Sequence, residues 1–369
     1  MSDVKNISSN QLFAVIVLFE FGTALVVPIG LKAEQGVWLS ILAALPGGIA
    51  IYLVYDYLFR QYPNVILSGY IRKIVGPYIG FPMIFLYIAY FLYNASRNLR
   101  EAGDLLITVA YDQTPMLVIH AVMIIAVVYV LNKGIEVFFR LGEIYLIITV
   151  CLGLIGGCTL LLSGVVEPRN LLPIYGAGWK SILQMAYPNI FLFPFAELVC
   201  FTTVFPRLNR TKAVRISGLA GIIISGLILS MTHALEIATL GSNIYGRSIF
   251  PLFTTISLAN VADFLQRMDA IVVLTLIIGV FFKMSMYCYA AMVITADVFQ
   301  IKEERKLAYP VGAVVLLVSI LSAWSFPEHL QEGVESSMFF LGIVSFCIPV
   351  LLFLVQLIRR RLSPPSLLK

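Results

Sequence analysis

Three charged residues lie inside long apolar runs of this chain, where a charge needs an ion-pair partner or a functional role. Glu20 lies in LFEFGTALVVPIG, Glu197 in FPFAELVCFTTVFP and Lys283 in LIIGVFFKMSMYCY. A charge in the middle of a bilayer costs at least about 2.5 kcal/mol, so such residues are rare and mark ion or substrate pathways. Two interpretations of Lys283 are open. Its side chain extends to the membrane surface, or its ammonium replaces a bound cation beside the first apolar run, with Glu20 and Glu197 as counter-charges.

A second group of charges lies in the stretch NASRNLREAGD. Arg97 and Glu101 are four residues apart, as are Arg100 and Asp104, and on a helix that spacing predicts two ion pairs on adjacent faces. One interpretation is that the pairs neutralise each other near the outer end of a long helix. The other is that Arg97 extends into a central cavity, where its guanidinium holds an anionic group.

Motifs of soluble enzymes are absent from the sequence. It contains no G-x-x-x-x-G-K-[ST], H-E-x-x-H, C-x-x-C or G-x-S-x-G, the patterns of nucleotide, zinc, redox and hydrolase sites. The five cysteines all fall in apolar segments, an odd number that argues against a disulfide framework. His233 is expected to be a hydrogen-bonded helix residue, and His120 and His329 have no predicted role. We therefore expect no enzymatic activity, no cofactor and no metal site.

Composition places these residues in a membrane. Of the 369 residues 60% are hydrophobic and 12% are charged, about half the charge of a soluble domain. The net charge of +5 is not accompanied by a dense basic patch with aromatic residues, so nucleic acid is not an expected partner. A span needs about 20 apolar residues, and the apolar runs predict an all-α membrane protein with one integral membrane domain over residues 1–369. The ten predicted spans are about 10–30, 37–59, 78–111, 115–132, 141–163, 181–205, 214–240, 263–298, 308–326 and 334–358, with interfacial or re-entrant pieces at 63–76 and 247–262.

The distribution of lysine and arginine predicts the orientation of these spans. If the N-terminus is inside, 17 of the 25 lysines and arginines fall in inner segments and 4 in outer segments. Positive residues are enriched in cytoplasmic loops. Both termini are therefore predicted to be cytoplasmic, which requires an even number of spans.

Interruptions in the first and sixth spans predict a small-molecule site. Gly22-Thr23-Ala24 would unwind span 1, and Pro188 and Pro194 would each remove a helical hydrogen bond from span 6. Taken singly, Gly22 also fits a helix-packing face and the prolines fit simple kinks. As a pair in corresponding positions, with overlong spans 3 and 8, they predict inverted repeats at about 10–163 and 181–358, the plan of secondary transporters.

Several stretches in the same order resemble a known family. They are ISSNQLFAVIVLFEFGTALVVPIG, NLLPIYGAGWKSIL, FPFAE, FPLFTTISLANVADFLQRMD and SAWSFPEH. Over essentially the whole chain the sequence resembles the B subunits of spore nutrient germinant receptors, a branch of the amino acid–polyamine–organocation transporter superfamily.

The resemblance implies a leucine-transporter-type fold with five plus five inverted spans, in which spans 1 and 6 are broken around a central pocket. It implies a subunit that binds a small nutrient, commonly an amino acid, and triggers germination beside a larger A subunit and a lipoprotein C subunit in the spore inner membrane. By motif position, the pocket would be lined by Gly22, Thr23 and Ala24 from span 1 and by Phe193, Phe195, Ala196 and Glu197 from span 6.

Further candidate ligand-binding residues come from spans 3 and 8: Tyr93, Asn94, Arg97, Lys283 and Tyr287. Transporters of the superfamily often have a glycine-rich unwound segment in span 1, of which only Gly22 is present here. The alternative function is a proton- or cation-coupled amino acid permease.

Overall fold

The computed structural model describes residues 7–259, 269–322 and 338–362, and the regular structure in these ranges is helical apart from one isolated bridge between Ile7 and Leu208. The helices are α1 Ser9–Phe21, α2 Val37–Gln61, α3 Leu67–Val109, α4 Met116–Lys133, α5 Ile135–Leu162, α6 Gly178–Gln184, α7 Thr211–Arg247, α8 Pro251–Ser257, α9 Asp269–Val298 and α10 Ala308–Leu321. A C-terminal helix follows in three parts: Met338–Leu341, a π-helical turn Gly342–Cys347, and Ile348–Leu362.

Each of the ten predicted spans has a helical segment in the described ranges. Eight segments are long and apolar enough to cross a membrane. The other two are shorter: α1 has 13 residues because span 1 is broken, and the 14 described residues of α10 end next to residues 323–337, which lie outside the described ranges. The outer surface exposes many large apolar side chains, as a lipid-facing surface does. The predicted all-α membrane fold is confirmed, and the chain is an integral membrane protein.

Several predicted boundaries shift at glycines with positive φ. Gly134 (φ +114°) ends α4 and allows α5 to start at once, six residues before the predicted start. Leu67 starts α3, and Gly76 (φ +81°) bends it, so most of the predicted interfacial piece 63–76 forms helical turns before the bend. Beyond α7, the predicted piece 247–262 contains the short helix α8, and its last residues are outside the described ranges.

The first span breaks at the predicted position. A capping box starts α1, since the Ser8 hydroxyl accepts from the Gln11 amide at 3.2 Å and the Gln11 side chain accepts from the Ser8 amide at 3.1 Å. The helix ends at Phe21, because Gly22 has φ +29° and ψ −122°, values that favour glycine. The chain then passes through turns to the 3₁₀-helix Leu31–Gly36 before α2 begins.

The sixth span is also broken, at both predicted prolines. After α6 the chain forms a π-helical turn, Met185–Ile190, in which Tyr187, the residue before Pro188, has extended backbone angles. A turn at Pro194 follows, and the span continues as a 3₁₀-helix, Phe195–Thr203. These irregular turns free backbone groups at membrane depth, which is tolerated where the segment is buried in protein or lines a cavity.

Packing places the two broken spans at the centre of the molecule. α1 contacts α5, α7 and α9, the long helices α3 and α9 pack along each other, and α2 packs on α7 and on the 3₁₀-helix Phe195–Thr203. Every residue of that 3₁₀-helix is buried. The break in α1 therefore lies against the helix that contains Lys283. The bounds of the two predicted repeats stay a prediction.

Candidate functional site

The break in α1 is in direct contact with α9. A Cβ atom on Gly279 would lie 2.9 Å from the carbonyl oxygen of Gly22, and a Cβ atom on Gly22 would lie 2.5 Å from Cδ of Lys283. Both distances are shorter than side chains tolerate. The two glycines therefore let the backbones approach and let the Lys283 stem lie across the break.

Lys283 and Glu197 form a buried ion pair. Lys283 Nζ lies 2.5 Å from Glu197 Oε2, and both side chains are almost completely removed from solvent. The ammonium also lies 4.3 Å from the ring centroid of Phe193 and 5.4 Å from that of Phe19, so it makes cation–π contacts as well. The Lys283 side chain therefore does not extend to the membrane surface, and the prediction that its ammonium replaces a bound cation stays a prediction.

Glu20 adds a second buried carboxyl group to this pair. Its side chain is fully buried, and neither of its carboxyl oxygens has a hydrogen-bond partner among the described residues. It interacts electrostatically with Lys283 and Glu197. If all three groups are ionised, two negative charges face one positive charge. One more positive charge, or a proton on one carboxylate, would then make the cluster neutral.

Glu197 also lines a cavity of about 310 Å³. Its polar lining includes Asn94, Arg97, Asn98 and Glu101 from α3, positions that share one face of a helix. Arg97 pairs with Glu101 at 3.4 Å. The rest of the lining comes from the segment after the break, the sixth span and the C-terminal helix: Val27, Pro28, Ile29, Gly30, Leu31, Lys32, Met185, Asn189, Ile190, Phe193, Met338 and Leu341.

Four of the twelve predicted site residues line this cavity: Asn94, Arg97, Phe193 and Glu197. Lys283 reaches it indirectly, through the ion pair with Glu197. Gly22, Thr23 and Ala24 form the break but do not line the cavity, and residues 27–32 of the same segment do so instead. Arg97 is paired with Glu101 and also lines the cavity, and the prediction that it holds an anionic group there stays a prediction.

The other predicted residues support the site from outside the cavity. Phe195 packs against Gly48 of α2 and Gly226 of α7, and the Ala196 carbonyl accepts a hydrogen bond from the Tyr55 hydroxyl at 2.9 Å. The Tyr287 ring packs edge-on against Phe19, with centroids 5.3 Å apart. Tyr93 is half-buried, and the Arg97 guanidinium lies 5.9 Å from its ring centroid.

Sequence reasoning left Asn98, Glu101 and Asn189 out of the predicted set. The helical spacing i, i+3, i+4, i+7 from Asn94 through Arg97 to Asn98 and Glu101 is the signal that could have found the first two. No comparable signal marks Asn189, because it lies in an irregular turn.

A histidine network fixes the segment after the break. His233 Nδ1 lies 2.8 Å from Glu236 Oε2, and its Nε2 lies 3.1 Å from the Ala24 carbonyl oxygen. The Tyr245 hydroxyl lies 3.0 Å from the same Nδ1 and donates to the Ile29 carbonyl at 3.1 Å. The prediction that His233 is a hydrogen-bonded helix residue is confirmed. His120, which had no predicted role, is buried and lies 2.9 Å from the Ser319 hydroxyl, and His329 is outside the described ranges.

Solved structures of transporters share this fold. Among solved structures, the fold is similar to Mhp1, a nucleobase-cation-symport-1 family transporter in a closed conformation with bromovinylhydantoin bound. The TM-score is 0.70 at 12% identity, over 98% of this chain and 81% of that one. It is also similar to MhsT in complex with L-phenylalanine, with a TM-score of 0.61 at 12% identity over 94% and 97% of the two chains. At these identities the likeness shows the leucine-transporter-type fold.

Sequence similarity is much closer to germination proteins. The chain is 36% identical over 356 residues to Spore germination protein KB of Bacillus subtilis (strain 168), covering 96% of this chain and 95% of that protein. The family described as Spore germination protein matches residues 6–327. The chain therefore belongs to the spore germination protein family.

Proposed function

We propose that this protein is the membrane subunit of a spore nutrient germinant receptor and that it binds a small zwitterionic nutrient, of the α-amino acid class, in the cavity beside Glu197. Binding of the nutrient triggers germination. The name of the Bacillus subtilis relative and the family assignment support the germination role, and the chemistry of the cavity supports the ligand class.

One observation supports the ligand class above all others: Arg97 and Glu197 line the same cavity. A guanidinium holds a carboxylate with paired hydrogen bonds, and a carboxylate accepts hydrogen bonds from an ammonium. An amino acid presents both groups on one carbon atom, so a single small ligand can bond to both residues in addition to their partners Glu101 and Lys283. The volume of about 310 Å³ is at the small end for ligand sites.

The apolar part of the lining favours an apolar side chain on the ligand. Met185, Ile190, Phe193, Met338 and Leu341 line the cavity, and together they offer an apolar surface with a flexible thioether at two points. Methionine adapts its shape to a ligand. We therefore expect apolar amino acids to bind better than charged ones.

Lys283 is proposed to act as a built-in cation. Its ammonium joins Glu197, at the edge of the cavity, to the break at Gly22. A change at the cavity side of Glu197 therefore reaches the break in α1 through this ion pair. This arrangement gives the nutrient a physical route to a conformational change without a bound metal ion.

The cellular setting follows the same proposal. The subunit would act in the spore inner membrane beside an A subunit and a lipoprotein C subunit, with both of its termini cytoplasmic. The unequal distribution of lysine and arginine supports the orientation, and membership of the family supports the partners.

The proposal is tested with purified protein in nanodiscs and a panel of the twenty L-amino acids. A ligand that binds the native state raises its thermal stability, so at least one apolar amino acid is expected to raise the unfolding temperature. Arg97→Gln should weaken the affinity of the protein for that amino acid at least about tenfold. This factor corresponds to the free energy that one charge-assisted hydrogen bond contributes.

Arg100→Gln is the matched control. Arg100 pairs with Asp104 at 2.9 Å on the same helix and is not among the cavity-lining residues, so its loss should leave the affinity within about twofold. If no amino acid stabilises the wild-type protein, or if both substitutions weaken binding equally, the proposed ligand class is wrong.

A second candidate function is a proton-coupled amino acid permease, and the position of Glu20 favours it. A buried carboxyl group without a hydrogen-bond partner among the described residues, beside an ion pair, could take up and release a proton in a transport cycle. Uptake of a radiolabelled amino acid into proteoliposomes with an inward proton gradient tests this function. Saturable uptake that Glu20→Gln abolishes would favour the permease over a receptor that only binds.

A further inference from the structure

A second cavity borders the α1 break and opens toward the lipid. Its volume is about 220 Å³, and it lies between α1, α5, α7, α8 and α9. Phe21, the last residue of α1, and Leu25, in the turn after Gly22, both line it. The nutrient cavity begins two residues farther along the chain, at Val27. The two cavities therefore share the broken segment without sharing a lining residue.

Three buried polar groups line this cavity and have no hydrogen-bond partner among the described residues. They are Oε1 of Glu236 and the hydroxyls of Thr149 and Thr255, and each of these residues is at least nine-tenths buried. The second oxygen of Glu236, Oε2, bonds to His233 at 2.8 Å. Burying a polar group without a partner costs free energy, so this cluster favours a ligand that supplies a hydrogen-bond donor.

The rest of the cavity is apolar and reaches the lipid-facing surface. Leu154 of α5 and Met231 of α7 line it, and their side chains are 63% and 60% exposed on the outside of the helix bundle. A molecule dissolved in the membrane can therefore enter between α5 and α7. A dry apolar cavity of about 150 Å³ holds benzene, so this larger one holds a molecule of roughly seven to nine heavy atoms.

We propose that this cavity binds a small amphiphile from the membrane, with an aliphatic body and a hydroxyl or amino head that donates to Glu236. The apolar walls of α5, α7 and α9 cover the aliphatic body, and the donating head bonds to Oε1 of Glu236. Through His233, whose Nε2 lies 3.1 Å from the Ala24 carbonyl oxygen, this ligand contacts the network that fixes the broken segment. The site is separate from the nutrient cavity, and its existence does not depend on the proposed function.

The site is tested by photolabelling the full chain in nanodiscs with an aliphatic alcohol that contains a diazirine. Labelled residues are identified by peptide mass spectrometry. The expected labels fall on α5, α7 and the α1 break. An excess of 1-hexanol or of hexylamine should compete, and the comparison of the two shows which head group is preferred. The isomer 1-methoxypentane has the same atoms as 1-hexanol but no donor, so it should compete at least about tenfold more weakly.

Two cavity-filling variants and one matched control complete the test. Gly157→Leu and Gly153→Leu each place a side chain at a cavity-lining glycine where an added Cβ meets no atom within 4 Å, and Gly246→Leu does the same outside the cavity. Either cavity variant should reduce labelling at least about tenfold, while Gly246→Leu should be labelled like the wild type. Two cavity variants are used so that the test still stands if one of them fails to fold. Three results would overturn the proposal. They are labels spread over all lipid-facing helices, unchanged labelling of a folded cavity variant, and competition by 1-methoxypentane as strong as that by 1-hexanol.

Discussion

Replacing Lys283 by methionine is expected to destabilise the protein by about 3–5 kcal/mol. The substitution keeps the volume of the stem that lies across Gly22 but removes the ammonium. Glu197 and Glu20 then lose the ammonium that faces them, and an uncompensated buried charge typically costs this much.

The distance of the ion pair sets the scale of the effect. For charges 2.5 Å apart, Coulomb's law with an effective dielectric constant of about 20 gives an attraction of roughly 7 kcal/mol. Desolvation of each buried ion offsets several kcal/mol of that attraction. The intact pair therefore contributes little to the net free energy of unfolding. Removing one partner, by contrast, strongly destabilises the protein.

A double-mutant cycle separates these two contributions. Glu197→Gln alone removes the carboxylate that is paired with the ammonium and should also destabilise the protein. Lys283→Met together with Glu197→Gln removes both charges of the pair, so the double variant should be more stable than the sum of the two single effects predicts. We expect a coupling energy of at least about 2 kcal/mol, within the range for residues in contact.

Reversible unfolding by SDS in mixed micelles measures the free energies of unfolding for this cycle. Lys306→Met is the control, since Lys306 and Glu303 form an exposed ion pair at 2.9 Å and such pairs contribute less than about 1 kcal/mol. Two results would refute the reasoning about the buried pair. In the first, the effects of Lys283→Met and Glu197→Gln on the free energy of unfolding are strictly additive; in the second, Lys283→Met is as stable as the control.

Three further predictions concern the break, the C-terminal end of α2 and the orientation. Gly22→Val should abolish amino acid binding and lower the unfolding temperature, because its Cβ would clash with Lys283 and φ is +29°; Gly246→Val, at an open position, should change neither in the same thermal-shift assay. Asp56→Asn should cost roughly 1–3 kcal/mol in SDS unfolding, because the fully buried Asp56 accepts from both Arg60 and Arg215 at 2.8 Å, and an unchanged stability would contradict it. In intact cells a membrane-impermeant maleimide should label Glu167→Cys and not Thr211→Cys if the termini are cytoplasmic; the reverse pattern would invert the topology.

The sequence located the breaks and the buried charges well, because both depend on residue type at a fixed position. Gly22, Pro188 and Pro194 interrupt their spans as predicted, and each residue limits the backbone by its own chemistry. One of the two interpretations of Lys283 put it beside the first span with Glu20 and Glu197 as counter-charges, since a charge at membrane depth needs a partner, and the structure pairs it with Glu197.

The lining of the cavity was less predictable, because it depends on how each segment is rotated. In the irregular part of the sixth span there is no helical period to follow, so Phe195 points to α2 and α7 while Phe193 lines the cavity. In span 1 the turns after Gly22 shift the lining to residues 27–32. On α3, where the helix is regular, the spacing from Asn94 does give the correct face.

The most direct measurement of the proposed site is the affinity of one stabilising amino acid and of its methyl ester for the wild type and for Arg97→Gln, by titration calorimetry in nanodiscs. The ester keeps the ammonium and lacks the carboxylate. Arg97→Gln should weaken binding of the free acid at least about tenfold and change binding of the ester by less than about twofold. Equal weakening of both ligands would show that Arg97 does not hold the carboxylate, and would contradict a zwitterion bound between Arg97 and Glu197.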